Sequence, residues 1–174
     1  NNVIRGLKTA ACEIQACYPN IAKISNIKMK DGRFVNEMDI NEKRKICVIG
    51  PRVVEMLYKK DEKVIGTYIR VNGVYFMVVG VTVVTQGGND GREQAQRINI
   101  PYSTFQNAFN YGNVVGWFAI KAKDNVSAEE AEKHVMSILK ERHKIAPNDL
   151  KAIGHVNLAV EYKKLNGLFI GIEV

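Results

Sequence analysis

The chain has 174 residues, 46% of them hydrophobic, which is ordinary for a globular protein of one domain or two small subdomains. A formal charge of +7 raises the question of a nucleic-acid partner, but the basic residues fall in short, separated groups, Lys43-Arg44-Lys45, Lys59-Lys60 and Lys163-Lys164. Glu or Asp lies close to the first two, so the charge is not gathered and no nucleic acid is expected; a solvated basic surface comes first, ahead of anionic lipid or an acidic partner. The longest apolar run, Val74 to Val84, falls far short of the roughly 20 residues that cross a bilayer, and the start Asn1-Asn2-Val3-Ile4-Arg5 has no signal-peptide pattern.

In chain order, Asn2 to Tyr18 alternates irregularly and reads as strand, broken by Pro19-Asn20. Residues 21–27 suit a helical turn or a crossing loop, and Asp31-Gly32 is a turn signal before Arg33 and Phe34. The polar stretch Asn36 to Lys45 is expected to be a solvated loop or a short helix. Ile46-Cys47-Val48-Ile49 has the continuous apolar character of a buried strand. Gly50-Pro51 then opens a helix whose stripe is Val53, Val54, Met56 and Leu57, because proline suits the first helical position.

Two β-rich arms meet at Asn72-Gly73, the dipeptide that supplies both positive φ angles of a type I′ hairpin turn. Counting outward pairs Val71 with Val74 and Ile69 with Phe76 on the core face, and Arg70 with Tyr75 and Tyr68 with Met77 on the other. Thr85 to Arg92, with three glycines, is expected to be a mobile polar segment. Ile98 to Pro101 reads as a short strand and Tyr102 to Phe109 as a helix. Trp117 to Lys123 alternates as a strand. Ser127 to Glu130 forms a capping box that starts a helix running to His143, and Val156 to Tyr162 alternates as a final strand, which makes Trp117 to Tyr162 a β-α-β unit.

No catalytic or metal-binding constellation emerges. Cys12, Cys17 and Cys47 lack a Cys-x-x-Cys spacing, and their disulfide state stays open. His134, His143 and His155 fit no metal motif, and Gly50 lacks the companions of a phosphate-binding loop. Glu129 and Glu130 are explained by the dipole of the helix they begin.

The ordered series Gly32-Arg33-Phe34, Asp39, Ile46 to Gly50, Ile65-Gly66, Val71 to Phe76 with Asn72-Gly73 at its centre, and Val79-Gly80-Val81 resembles the extracytoplasmic domain of MacB-like ABC transporter permeases. The resemblance implies an α+β fold in two parts: a porter-like β-α-β subdomain from residues 1–20 and 114–162, and a smaller Sabre-like insertion at residues 21–111. Residues 163–174 would run in to a transmembrane helix. The motif positions Gly32, Arg33, Phe34, Gly50, Gly66, Asn72, Gly73, Phe76 and Gly80 would be structural, with no catalytic, cofactor or metal residue in this chain. The implied role is a non-catalytic periplasmic module of an inner-membrane export permease that couples ATP-driven helix movement to efflux; a substrate- or lipoprotein-gripping domain is the alternative. ATP would bind on a separate cytoplasmic domain or subunit. Other implied partners are a second permease copy, a membrane-fusion adaptor and an outer-membrane channel.

Overall fold

The computed structural model describes residues 2–162; the expected run-in at residues 163–174 lies outside them. The fold is α+β. The chain divides into two compact units, Asn1–Ala119 and Ile120–Val174.

The first unit is built on an eight-stranded mixed sheet. Its strands are β1 (Asn2–Arg5), β2 (Lys8–Ala11), β3 (Glu13–Cys17), β4 (Met29–Gly32), β5 (Ile46–Ile49), β6 (Tyr68–Val71), β7 (Val74–Thr82) and β8 (Arg97–Pro101). They run in the order β2-β1-β6-β7-β5-β8-β3, with β4 added on β7. Pairing is parallel for β5 with β7 and for β3 with β8. β2 and β3 lie at opposite ends of this order, yet only Cys12 separates them in the chain. The sheet therefore curls until its ends meet. Strands from residues 1–20 and from residues 21–111 thus share one hydrogen-bonded sheet.

Inside the curl lies a core of Val3, Ala10, Cys12, Cys47, Ile49, Ile69, Val71, Phe76, Val78, Ile98 and Ile100. Helix α3 (Pro51–Leu57) adds Val53 and Leu57. The other face of β5 and β7 gives Ile46, Val48 and Val79 to a second core, with Cys17, Val35 and Ile40. That explains why β5 is apolar at every position: a strand covered on both faces has no polar side. α5 (Tyr102–Phe109) packs Phe105, Ala108 and Phe109 against the first core, and Phe109 stacks on Phe76 with ring centres 6.1 Å apart. Two short helices, α1 (Ile21–Ile24) and α2 (Glu37–Asn41), complete the connections before β5.

The hairpin register matches the sequence reading residue for residue. Asn72 and Gly73 hold φ of 44° and 90°, the left-handed pair of the turn. Other segments depart from expectation. Of Thr85 to Arg92, expected to be a mobile segment, residues 88–92 open α4 (Gly88–Gln96), because Arg92 to Gln96 are good helix formers and Gly91 fits where a Cβ would lie 2.3 Å from the Gln86 carbonyl oxygen. Residues 117–123 take no strand: no other described segment pairs with them, and Trp117 and Phe118 stay largely exposed. An alternating pattern without a ladder partner does not make a strand.

In the second unit the capped helix is α6 (Ala128–Arg142), with the Ser127 hydroxyl accepting from the Glu130 amide at 3.1 Å. No residue of α6 is buried. Residues 158–162 are helical where a strand was expected, so the β-α-β segment keeps only its middle element. The Asn157 side-chain oxygen accepts from the amides of Ala159 and Val160, a local cap that outweighs the alternation of Val156, Leu158 and Val160.

Candidate functional site

The motif residues begin to meet at the end of β4. Gly32, at φ 69°, sits opposite Gly80 of β7. A Cβ on Gly32 would lie 2.2 Å from the Val79 carbonyl oxygen, and one on Gly80 would lie 2.2 Å from that of Arg33. Only glycines allow the two backbones this close, and the Arg33 amide donates to Val79 O at 3.0 Å.

From this crossing Arg33 reaches Asp39 with both ends of its fork, Nη1 to Oδ2 at 2.6 Å and Nη2 to Oδ1 at 3.0 Å. Asp39 is fully buried and is the third residue of α2, where it and Asn36 cap one another: Asn36 N donates to Asp39 Oδ2, and Asp39 N to Asn36 Oδ1, each at 3.0 Å. Arg44 stands 3.9 Å from Oδ1. Burial alone pushes the Asp39 carboxyl up; the Arg33 bonds, the Asn36 amide and the charges of Arg33 and Arg44 overcome this and hold it below the usual carboxylate range. Residues 36–45 are therefore an anchored helix and turn. The solvated-loop alternative fails at Asp39 and Ile40, both buried.

The other motif residues serve elsewhere. Phe34 packs beside the second core. The Gly50 amide donates to Arg97 O at 2.9 Å, and its missing Cβ leaves room for Ala95 O, so α3 starts tight against the end of α4. Gly66, at φ 84°, donates to Val78 O at the base of the hairpin, while Asn72 and Gly73 form its tip. Phe76 fills the centre of the first core. Each of these positions holds backbone or core; they do not converge on one pocket.

Beside the Arg33–Asp39 node opens a groove of about 760 Å³, lined by Arg33, Arg44, Lys45, Tyr68, Tyr75 and Met77 among others. Tyr68 and Tyr75 stand on the outward face of the hairpin, 57% and 60% exposed. Lys45 has no carboxylate partner among the described residues. The amide of Met77 donates to Lys45 O at 2.9 Å, where β5 begins its ladder with β7. Sequence reading keeps Lys43-Arg44-Lys45 and the tyrosines apart, since only the sheet order brings them together. The Asn36-x-x-Asp39 capping pattern, in contrast, is a local signal that marks α2.

The three cysteines are free and buried. Burial pushes the Cys17 thiol up to about 12 and raises those of Cys12 and Cys47, so none is a ready thiolate near neutral pH. His155 Nε2 lies 2.8 Å from Glu132. Among the described residues no group of three His, Cys, Asp or Glu gathers as a metal site.

A family model described as the MacB-like periplasmic core domain matches residues 2–138. The macrolide export ATP-binding/permease protein MacB of Rhodospirillum rubrum is 25% identical over 130 residues, covering 75% of this chain and 20% of that protein. The pyoverdine export ATP-binding/permease protein PvdT of Pseudomonas entomophila is 28% identical over 121 residues, 69% of this chain and 18% of that protein. The chain thus spans about one fifth of the length of the curated relatives it matches. Among solved structures, the periplasmic region of MacB from Actinobacillus actinomycetemcomitans superposes with a TM-score of 0.78 at 21% identity, covering 95% of this chain and 71% of that one. The extracellular domain of the ABC-type transporter YknZ from Gram-positive bacteria gives 0.65 at 13% identity, with 82% of this chain and 71% of that one covered.

Proposed function

Because the chain belongs to the family of MacB-like periplasmic core domains, we propose that it passes the movement of membrane helices to an extracytoplasmic partner or substrate during ATP-driven export. The domain is the extracytoplasmic part of an inner-membrane ABC-type permease. The observation that carries the transmitting role is the construction of the first unit: a curled sheet whose two end strands, β2 and β3, are joined through Cys12 alone, pinned where Gly32 crosses Gly80 and Arg33 grips Asp39. Such a body moves as one piece, which is what passing on a displacement requires. No step of the role asks this chain for catalysis or a cofactor; ATP is bound by a cytoplasmic domain or subunit. A second permease copy, an adaptor and an outer-membrane channel complete the proposed assembly. The two-part division belongs to the same proposal, with residues 21–111 as the Sabre-like part and residues 1–20 and 114–162 contributing to the porter-like part.

A second reading, a module that grips a lipid or peptide, draws on the exposed run Val114, Val115, Trp117 and Phe118. The full transporter in proteoliposomes separates the two. Asp39→Ala, which loosens the scaffold, should lower export per ATP hydrolysed while substrate still binds; Trp117→Ala with Phe118→Ala should leave that ratio intact. Loss of substrate binding in the second variant, with normal coupling in the first, would overturn the transmitting role in favour of gripping.

A further inference from the structure

The groove beside the Arg33–Asp39 node contains an unfinished piece of sheet. In an antiparallel pair, a residue that does not bond its cross-strand neighbour turns its N–H and C=O to the other side, and this repeats every second residue. Met77 shows which side that is, because its amide reaches across to Lys45 O. Tyr75, two residues earlier on β7, turns its backbone groups the same way. Among the described residues no strand continues there. The ladder of β5 with β7 starts at Ile46 and Met77, and the chain before it bends away, with Lys43 at φ 51° and the Arg44 amide bonded back to Asp39 O at 3.0 Å.

Two further features mark the same place. Arg33, Arg44 and Lys45 bring three positive charges to the groove against Asp39 and Glu42, so one is left over, and Lys45 carries it without a partner among the described residues. Tyr68 and Tyr75 supply amphipathic surface at the rim, the kind that dominates recognition sites.

We propose that this groove docks an extended acidic peptide segment of a partner protein. The segment adds to the free edge at Tyr75, sets a carboxylate on Lys45 and lays its other side chains across Tyr68 and Tyr75. The open N–H and C=O at Tyr75 match a peptide backbone, which offers a donor and an acceptor side by side, whereas a lipid headgroup or a small anion would answer only the charge. This inference goes beyond the transmitting role and does not depend on it.

The test titrates the ¹⁵N-labelled chain with a capped peptide of alternating Glu and Val, with the matching Lys-Val peptide as control. The expected result is shifts centred on the amides of Tyr75, Met77 and Lys45 with the acidic peptide alone, weakening as salt rises. Lys45→Glu, on an exposed side chain outside both cores, should weaken binding about tenfold without altering the rest of the spectrum. Shifts centred elsewhere, equal response to the basic peptide, or no binding by either overturns the proposal. So does a stronger response of the same amides to phosphatidylglycerol vesicles, which would assign the groove to a membrane surface.

Discussion

Asp39 illustrates how one residue meets several demands at once. It is buried, charged, capped and doubly bonded to Arg33, so the cost of burying its carboxylate is offset by three hydrogen bonds and two nearby guanidinium groups. Removing the charge while keeping the shape should expose what the arrangement contributes. Asp39→Asn is expected to destabilise the domain by about 2–3 kcal/mol in urea unfolding at pH 7, below the largest costs for buried pairs because Arg33 still reaches water. The pH dependence has a definite sign. A carboxyl held below its ordinary value of about 4 stabilises the fold above that pH, and this contribution is lost as pH falls through the folded-state value. Between pH 7 and pH 3 the wild-type chain should therefore lose more stability than Asp39→Asn; parallel curves would show that the fork contributes no net charge stabilisation.

At the scale of elements, glycine has two different uses, and substitution separates them. Gly73 needs only its φ of 90°, with nothing within 4 Å of the place a methyl group would take, whereas Gly80 needs space between backbones that are already in contact. Gly73→Ala should cost about 1 kcal/mol through turn strain, while Gly80→Ala should cost at least about 3 kcal/mol, because β4 and β7 must part. Equal melting temperatures for the two variants would contradict the close crossing. The same distinction explains what can be read from sequence. The hairpin, α3, α5 and the start of α6 are legible because turn chemistry, proline placement and caps act over a few residues. Residues 117–123 mislead because alternation reports a preference while a strand also needs a partner. Residues 88–92 mislead because their glycines look like flexibility until Gly91 is seen fitting under Gln86 O.

For the whole molecule, protection should follow burial. Amides of β5, the second half of β7 and β8 lie between or beside the two cores, whereas α6 has no buried residue. Hydrogen exchange followed by mass spectrometry on the full chain should find the three strands slowest and α6 far faster. Comparable protection of α6 would mean that burial does not rank stability here. The motif positions can be read from the chain because their order resembles a family; the groove cannot, because it joins residues 33–45 to residues 68–77 through a sheet order that no local pattern encodes.

The seam at Cys12 carries a consequence of a different kind. Every other junction around the sheet is a ladder of hydrogen bonds, but the two ends are joined by covalent chain through a single residue. Ala10, Cys12 and Ile14 all face the first core, so the inside-outside alternation passes through the seam without a break. The facing of both end strands is therefore tied to the residue count between them: one residue inserted at Cys12 would turn either β2 or β3 inside out. At this closure the spacing of the chain, and not only the identity of the buried side chain, holds the two strands in register.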